Sequence, residues 1–225
     1  MRYNMDREMS RLRKLVLGEA AMVEEAIDKA IRAFEKLDAD LAQQVIDGDR
    51  QIDEAEIDVE EECLRILVLH TPVASDLRFI VTVLKMNNDL ERMGDIAVSI
   101  ARRAVFLKEN PTSIRMPLEF STMGDAVRAM VKQSLDALIN QDEDLAIKTC
   151  KQDDAVDDMK RSIAKELRAE MKERPDELRP LLKMLDVTRH LERIGDLATN
   201  ISEDVVYLVR GEIIRHFGYV DIDSA

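Results

Sequence analysis

The sequence predicts an all-α fold of two tandem, pseudo-symmetric three-helix bundles, built from six long antiparallel helices. Three observations support this: a composition typical of long helices, apolar residues at helical spacing almost throughout, and an internal repeat. Apolar residues make up 46% of the chain and charged residues 35%, with only seven glycines, five prolines and no tryptophan. Such a composition favours amphipathic helices, and no stretch shows the alternating pattern of a strand.

Helix-breaking segments divide the chain into six helices. Pro72, Pro117 and Pro175 lie where the start of a helix tolerates proline, and the Asp-rich segments near residues 38–40 and 140–142 mark two further boundaries. The predicted helices span residues 6–37, 39–69, 74–109, 118–140, 142–173 and 176–210. The residues after Gly211 are predicted to form a short frayed terminus.

The internal repeat is clearest in one peptide. Residues 90–97 recur as residues 191–198, with six of eight positions identical. Residues 38–42 and 49–53 also resemble residues 142–146 and 153–157, both at an offset of 104. We therefore predict a first bundle over residues 1–112 and a second bundle over residues 113–225.

The offset changes in the first helix of each half. Met22 and Val23 correspond to Met130 and Val131, which lie 108 residues further along the chain. The extra four residues amount to about one helical turn, so side chains return to nearly the same face. The correspondence between the halves thus extends upstream into their first helices.

The net charge of −13 argues against binding to nucleic acid or to anionic lipid, because both would be repelled over most of the surface. The first 14 residues lack the apolar core of a signal peptide, and no run of about 18 apolar residues is free of charges. We predict a cytoplasmic protein that meets a membrane only through its partners.

Two carboxylates extend an apolar line on the third predicted helix. Leu77, Leu84, Glu91, Asp95 and Arg102 are spaced so that they fall along one side of the helix. The Glu-x-x-x-Asp pair places two like charges about 5–6 Å apart at their Cβ atoms. Near a buried face such a pair needs cations or hydrogen-bond donors to neutralise it.

The sixth predicted helix repeats this pair as Glu192 and Asp196. The second and fifth helices add acids that face these pairs if neighbouring helices pack side by side: Asp49 and Asp53 in the first half, and Asp153 and Asp157 in the second. The halves are unequal, since Glu56 and Glu60 of the first half correspond to Lys160 and Ala164 of the second.

These eight carboxylates form two candidate metal sites. Oxygen ligands without Cys or a pair of His suit Mg²⁺ or Mn²⁺, and carboxylate clusters also hold iron. Salt bridges to Arg92, Arg102, Arg189 and Arg193 are the structural alternative. Gly94 and Gly195 lie in the middle of helices, where glycine is unfavourable. Each makes room either for a closely packed neighbouring helix or for the ligands of a metal.

The sequence resembles the PhoU family of phosphate-signalling regulators. The resemblance is carried by the two Leu-Glu-Arg-x-Gly-Asp segments at residues 90–95 and 191–196, by Gly-Asp-Arg-Gln-Ile-Asp at 48–53, and by Pro-Val-Ala-Ser-Asp-Leu-Arg at 72–78. Residues 199–211 also look like the C-terminal helix of the family. The resemblance covers residues 5–211.

This resemblance implies a negative regulator that links the ATPase subunit of the phosphate ABC transporter to a sensor histidine kinase. It also implies paired three-helix bundles, a homodimer or higher oligomer, and acidic motifs that bind multinuclear clusters of iron, zinc, manganese or magnesium. Carried onto this chain, the metal motif falls on Glu91, Asp95, Glu192 and Asp196. Asp49, Asp53, Asp153 and Asp157 are the facing acids.

Nothing in the sequence predicts an enzyme, because no nucleophile with an aligned base and no glycine-rich phosphate loop is present. One alternative is a metal-dependent all-α nucleotide pyrophosphohydrolase, since acidic helical stripes also hold Mg²⁺ for phosphoryl chemistry. A metal-free helical scaffold is the other. A ferritin-like di-iron protein is disfavoured, since no His has a glutamate three residues before it.

Overall fold

The structure is a computed structural model that describes residues 2–113 and 115–211, with side chains from residue 5 onward. The described residues contain helices and turns but no strand, which confirms the all-α prediction. The helices are α1 (Arg2–Lys36), α2 (Ala39–Leu69), α3 (Ser75–Glu109), α4 (Glu119–Asn140), α5 (Glu143–Cys150), α6 (Asp153–Glu173) and α7 (Leu178–Arg210), with a 3₁₀ turn at Pro175–Glu177 before α7. The predicted frayed terminus lies outside the described residues.

The fifth predicted helix, 142–173, is interrupted once. The break falls at Lys151 and Gln152, where the Gln152 N–H donates to the Thr149 carbonyl at 3.0 Å instead of to the residue one place earlier. Both residues keep right-handed helical φ and ψ angles, so α5 and α6 are joined by a tighter 3₁₀-like turn. Neither Gly nor Pro marks this turn, so no helix-breaking residue predicts it.

The repeat is visible in how α2 and α5 begin. Asp38 and Asp142 each cap a helix, and each carboxylate accepts a hydrogen bond at 3.0 Å from the N–H three residues later. The residue before each cap, Leu37 or Gln141, has a positive φ of 50° or 52°. The two halves thus turn between helices in the same way at corresponding positions.

The helices pack in two groups. Helices α1, α2 and α3 contact one another, as do α4, α5, α6 and α7, and the two groups meet where α1 packs on α4 and α3 packs on α7. At the α1–α4 contact the rings of Phe34 and Phe120 lie with centroids 4.9 Å apart, and both side chains are fully buried. The predicted boundary between residues 112 and 113 falls in the segment joining α3 to α4, and it stays a prediction.

Helix α2 buries one line of apolar side chains at helical spacing. Val45, Ile52, Val59 and Ile66 belong to the core. Its acidic side chains therefore flank this line beside α3. Among the described residues, no helix combines the length and the apolar character needed to cross a membrane.

Candidate metal site

The first candidate site lies where α2 and α3 approach closely. Gly94 of α3 packs on Ile52 of α2, and a Cβ atom added at Gly94 would stand 3.3 Å from the Ile52 side chain. This contact explains Gly94 as a packing glycine. Because the helices approach closely here, the carboxylates that flank the contact face each other across a narrow groove.

The charges of the first half act on one another. The pKa of Glu91 is raised by burial and then by the negative charges of Asp95, Asp53 and Glu56. Burial, followed by Asp53 and Asp95, likewise raises the pKa of Asp49. The structure thus brings the four predicted acids of this half, Asp49, Asp53, Glu91 and Asp95, into one group together with Glu56.

Glu19 of α1 completes this group, and the sequence analysis missed it. Its side chain is fully buried, and both carboxylate oxygens lack a hydrogen-bond partner among the described residues. Burial, with the charges of Glu56 and Glu91, raises the pKa of Glu19 to about 8. A sequence signal existed, because Glu19 is the one acid within the otherwise apolar line of Val16, Val23 and Ile27.

Protein groups neutralise this first cluster poorly. None of its six carboxylates forms an ion pair within 4.0 Å with a described Lys, Arg or His. Arg102 and Arg92 act only from a distance, by opposing the rise in the pKa of Asp49 and of Glu91, and Arg92 lies 3.8 Å from Asp89. Asn87 supplies one donor, to Glu56 Oε1 at 3.3 Å. Salt bridging, the structural alternative for these acids, is therefore absent from the described part of this half.

The line of side chains on α3 that contains Glu91 and Asp95 lies at the edge of the core. Leu77 is 41% exposed, and Asp95 and Arg102 are also exposed, so the line borders the core instead of entering it. The outer end of the site opens on a cavity of about 430 Å³ between the two bundles. This cavity is lined by Asp49, Arg92, Asp95, Ile96, Val98, Ser99, Arg102, His190 and Arg193. The groove is therefore accessible to small ions.

The second candidate site repeats the geometry between α6 and α7. Burial, and then Glu192, Asp153 and Asp157, raise the pKa of Asp196 to about 6. Gly195 stands against the neighbouring helix as Gly94 does, since an added Cβ would lie 3.6 Å from Val156 and 3.7 Å from Asp153 Oδ1. The four predicted acids of this half therefore also form one group.

A lysine distinguishes the second group from the first. Lys160 Nζ donates a hydrogen bond to Glu192 Oε1 and lies 3.4 Å from Asp157 Oδ1. The hydrogen bond to Glu192 raises the pKa of Lys160 and so favours its charged form. Arg161 Nη1 also lies 3.3 Å from Asp157 Oδ2, so the second group contains its own cations.

The donor set of the first group fits a hard divalent cation. All six side chains offer oxygen, which Mg²⁺ and Mn²⁺ prefer, and buried Glu19 has two carboxyl oxygens without a hydrogen-bond partner among the described residues. As the side chains are placed, no three His, Cys, Asp or Glu among the described residues surround a common point. Binding a metal ion would therefore require rotation of these side chains.

The fold and these groups define a class of all-α proteins made of two repeated bundles, each with carboxylates facing one another between two helices. The chain belongs to the PhoU family: the model of the PhoU domain matches residues 16–104 and again residues 120–205. It is 43% identical over 211 residues to the phosphate-specific transport system accessory protein PhoU homolog of Pseudomonas putida, covering 94% of this chain and 82% of that protein.

Solved structures agree with this assignment. The crystal structure of PhoU from Pseudomonas aeruginosa superposes with a TM-score of 0.90 at 40% sequence identity, covering 92% of this chain and 99% of that one. The phosphate transport system regulatory protein PhoU from Streptococcus pneumoniae gives a TM-score of 0.84 at 32% identity, covering 93% of this chain and 98% of that one. The similarity therefore extends over both bundles.

Proposed function

We propose that this protein is a negative regulator of phosphate uptake and of phosphate-starvation signalling. In this role it acts in the cytoplasm as an adaptor between the ATPase subunit of the phosphate ABC transporter and a sensor histidine kinase. One observation carries the proposal: nearly the whole chain is similar to proteins named accessory proteins of the phosphate-specific transport system. An adaptor works by binding, and long paired bundles provide extended helical surfaces for two partners.

We also propose that the protein associates with further copies of itself and that it binds a metal ion. The regulator is a homodimer or higher oligomer, and its first bundle binds a divalent metal through Glu91, Asp95, Asp49 and Asp53, with Glu56 and Glu19 as further oxygen donors. A bound cation would supply the positive charge that these carboxylates lack. The residues themselves hold α1, α2 and α3 around it, because each of the three helices contributes a donor. The oxygen-only set favours Mn²⁺ or Mg²⁺ over zinc, which prefers nitrogen and sulfur ligands.

Deleting the gene tests the regulatory role most directly. We expect phosphate-starvation genes to be expressed constitutively in phosphate-rich medium, because the kinase would no longer receive the inhibitory signal. A plasmid copy of the chain should restore repression, which is measured by a reporter under a starvation promoter. Normal repression in the deletion strain would contradict the proposal.

The proposal that the protein binds without catalysing is tested on the purified chain. Nucleoside triphosphates incubated with the protein and Mn²⁺ or Mg²⁺ should show no release of pyrophosphate above a protein-free control. Release that is lost on Asp95→Ala substitution would instead support the alternative, a metal-dependent nucleotide pyrophosphohydrolase.

A further inference from the structure

The two acidic groups differ at two corresponding positions, and both differences change the charge. At the offset of 104 residues, Glu56 corresponds to Lys160. At the offset of 108 residues that relates the first helices, Glu19 corresponds to Val127, which is fully buried. The second half has therefore lost two carboxylates from its group and gained an ammonium.

Lys160 lies between carboxylates of the second group that belong to two different helices. It pairs with Glu192, the counterpart of Glu91, and approaches Asp157, the counterpart of Asp53. Its positive charge also lowers the pKa of Asp196, which the three neighbouring carboxylates raise. Arg161 pairs with Asp157 from an exposed position on α6, whereas Lys160 contacts carboxylates of both α6 and α7.

The first group has no such counter-charge and holds an additional buried acid. Glu19 is fully buried, and its carboxyl oxygens have no hydrogen-bond partner among the described residues. The negative charges of Glu56 and Glu91 raise its pKa. A carboxyl group buried without a hydrogen-bond partner is costly inside a protein, and more so in its ionised form. The unsatisfied oxygens of Glu19 are an observation separate from the acidic cluster itself, and they point to a missing positive ligand at this place.

We propose that the two halves are neutralised by different cations: a divalent metal held with the help of Glu19 in the first half, and the side chain of Lys160 in the second. The inference rests on the proposed metal site in the first half. It adds that the second half of this chain takes no metal, because Lys160 already occupies the position of the ion.

Calorimetric titration of the metal-free chain with Mn²⁺ tests this, with bound metal counted by elemental analysis after dialysis. Lys160→Glu restores the residue of the first half, and we expect it to bind at least one more Mn²⁺ per chain than the wild type. Lys165→Glu, an exposed change of the same charge on the same helix, should leave the number unchanged. Equal metal content in Lys160→Glu and wild type would overturn the inference.

Lys160→Gln serves as a second variant if Lys160→Glu does not fold. It removes the ammonium without adding a carboxylate, and it should also gain Mn²⁺. In the wild type, the double variant Asp153→Asn with Asp196→Asn should leave Mn²⁺ binding unchanged, whereas Glu19→Gln with Glu91→Gln should abolish it.

The failures are distinguishable. If the Asp153 and Asp196 changes remove part of the bound Mn²⁺ and the remainder depends on Glu19 and Glu91, the inference about Lys160 fails while the proposed site in the first half stands. If Mn²⁺ binding survives the Glu19 and Glu91 changes, or if the wild type binds none, the proposed metal site itself fails, and the inference fails with it.

Discussion

Replacing Glu19 by glutamine should make the metal-free protein more stable at pH 8, by up to about 4 kcal/mol. The folded state keeps the Glu19 proton up to about pH 8, whereas an unfolded chain releases it near the ordinary value of 4.5. Between these two values the unfolded state binds fewer protons than the folded one, so folding stability falls as the pH rises. Glutamine has a similar shape and never ionises.

Urea unfolding with EDTA present, at pH 8 and at about pH 5, measures this effect. The wild type and Glu19→Gln should have nearly equal free energies of unfolding at the lower pH, where Glu19 is protonated in the folded state. Mn²⁺ added in place of EDTA should reduce the difference in unfolding free energy at pH 8, because a bound cation stabilises the ionised carboxylate of the wild type. A wild type as stable as the variant at pH 8 in EDTA would show that Glu19 is already compensated.

Glu8 provides a matched control on the same helix. It is also buried, but it accepts hydrogen bonds from Arg65 at 2.9 Å and pairs with His70 at 2.8 Å. Burial raises the pKa of Glu8, yet these partners outweigh burial and leave it below its usual value. Glu8→Gln should therefore destabilise the protein at pH 8, which is the opposite sign to Glu19→Gln.

Phe120→Ala should cost about 3–5 kcal/mol of folding stability. The ring is fully buried and stacks against Phe34 across the contact between the two bundles. Truncation leaves a cavity at that contact, where α1 and α4 are held together. Because the halves share this core, the whole chain should lose stability in a single transition.

Thermal unfolding followed by circular dichroism and by calorimetry measures the change, and agreement between the two supports a single transition. Phe106→Ala is the control, since Phe106 is only partly buried and lies beside Arg179 and Lys183 of α7. Its loss should cost about 1–2 kcal/mol. Two separate transitions in Phe120→Ala, with the first bundle unchanged, would contradict a shared core.

Most of the fold was predictable because its determinants are local. The repeat fixed the correspondence between the halves, and Asp38 and Asp142 mark helix starts through capping, which depends on the next three residues only. The interruption at Lys151 and Gln152 was not predictable. It consists of a small change in hydrogen-bond pattern that no Gly or Pro signals.

The residues of the candidate site that could be predicted are those that share a face of one helix and recur in the second half of the chain. Glu91 and Asp95 share a face of α3 through their spacing, and their recurrence as Glu192 and Asp196 singled them out. Glu19 belongs to another helix, so its place in the group depends on how α1 packs on α2 and α3. Lys160 was visible in sequence as a difference from Glu56, but its pairing with Glu192 required the positions of side chains on two helices.

Crystals of the chain grown with Mn²⁺ would show directly whether the carboxylates of the first bundle hold a divalent cation. Anomalous scattering from manganese locates the ion without assumptions about its ligands. We expect a manganese peak among the six carboxylates of the first group, which α1, α2 and α3 contribute. A peak beside Asp153 and Asp196 alone, or no peak in the first bundle, would contradict it.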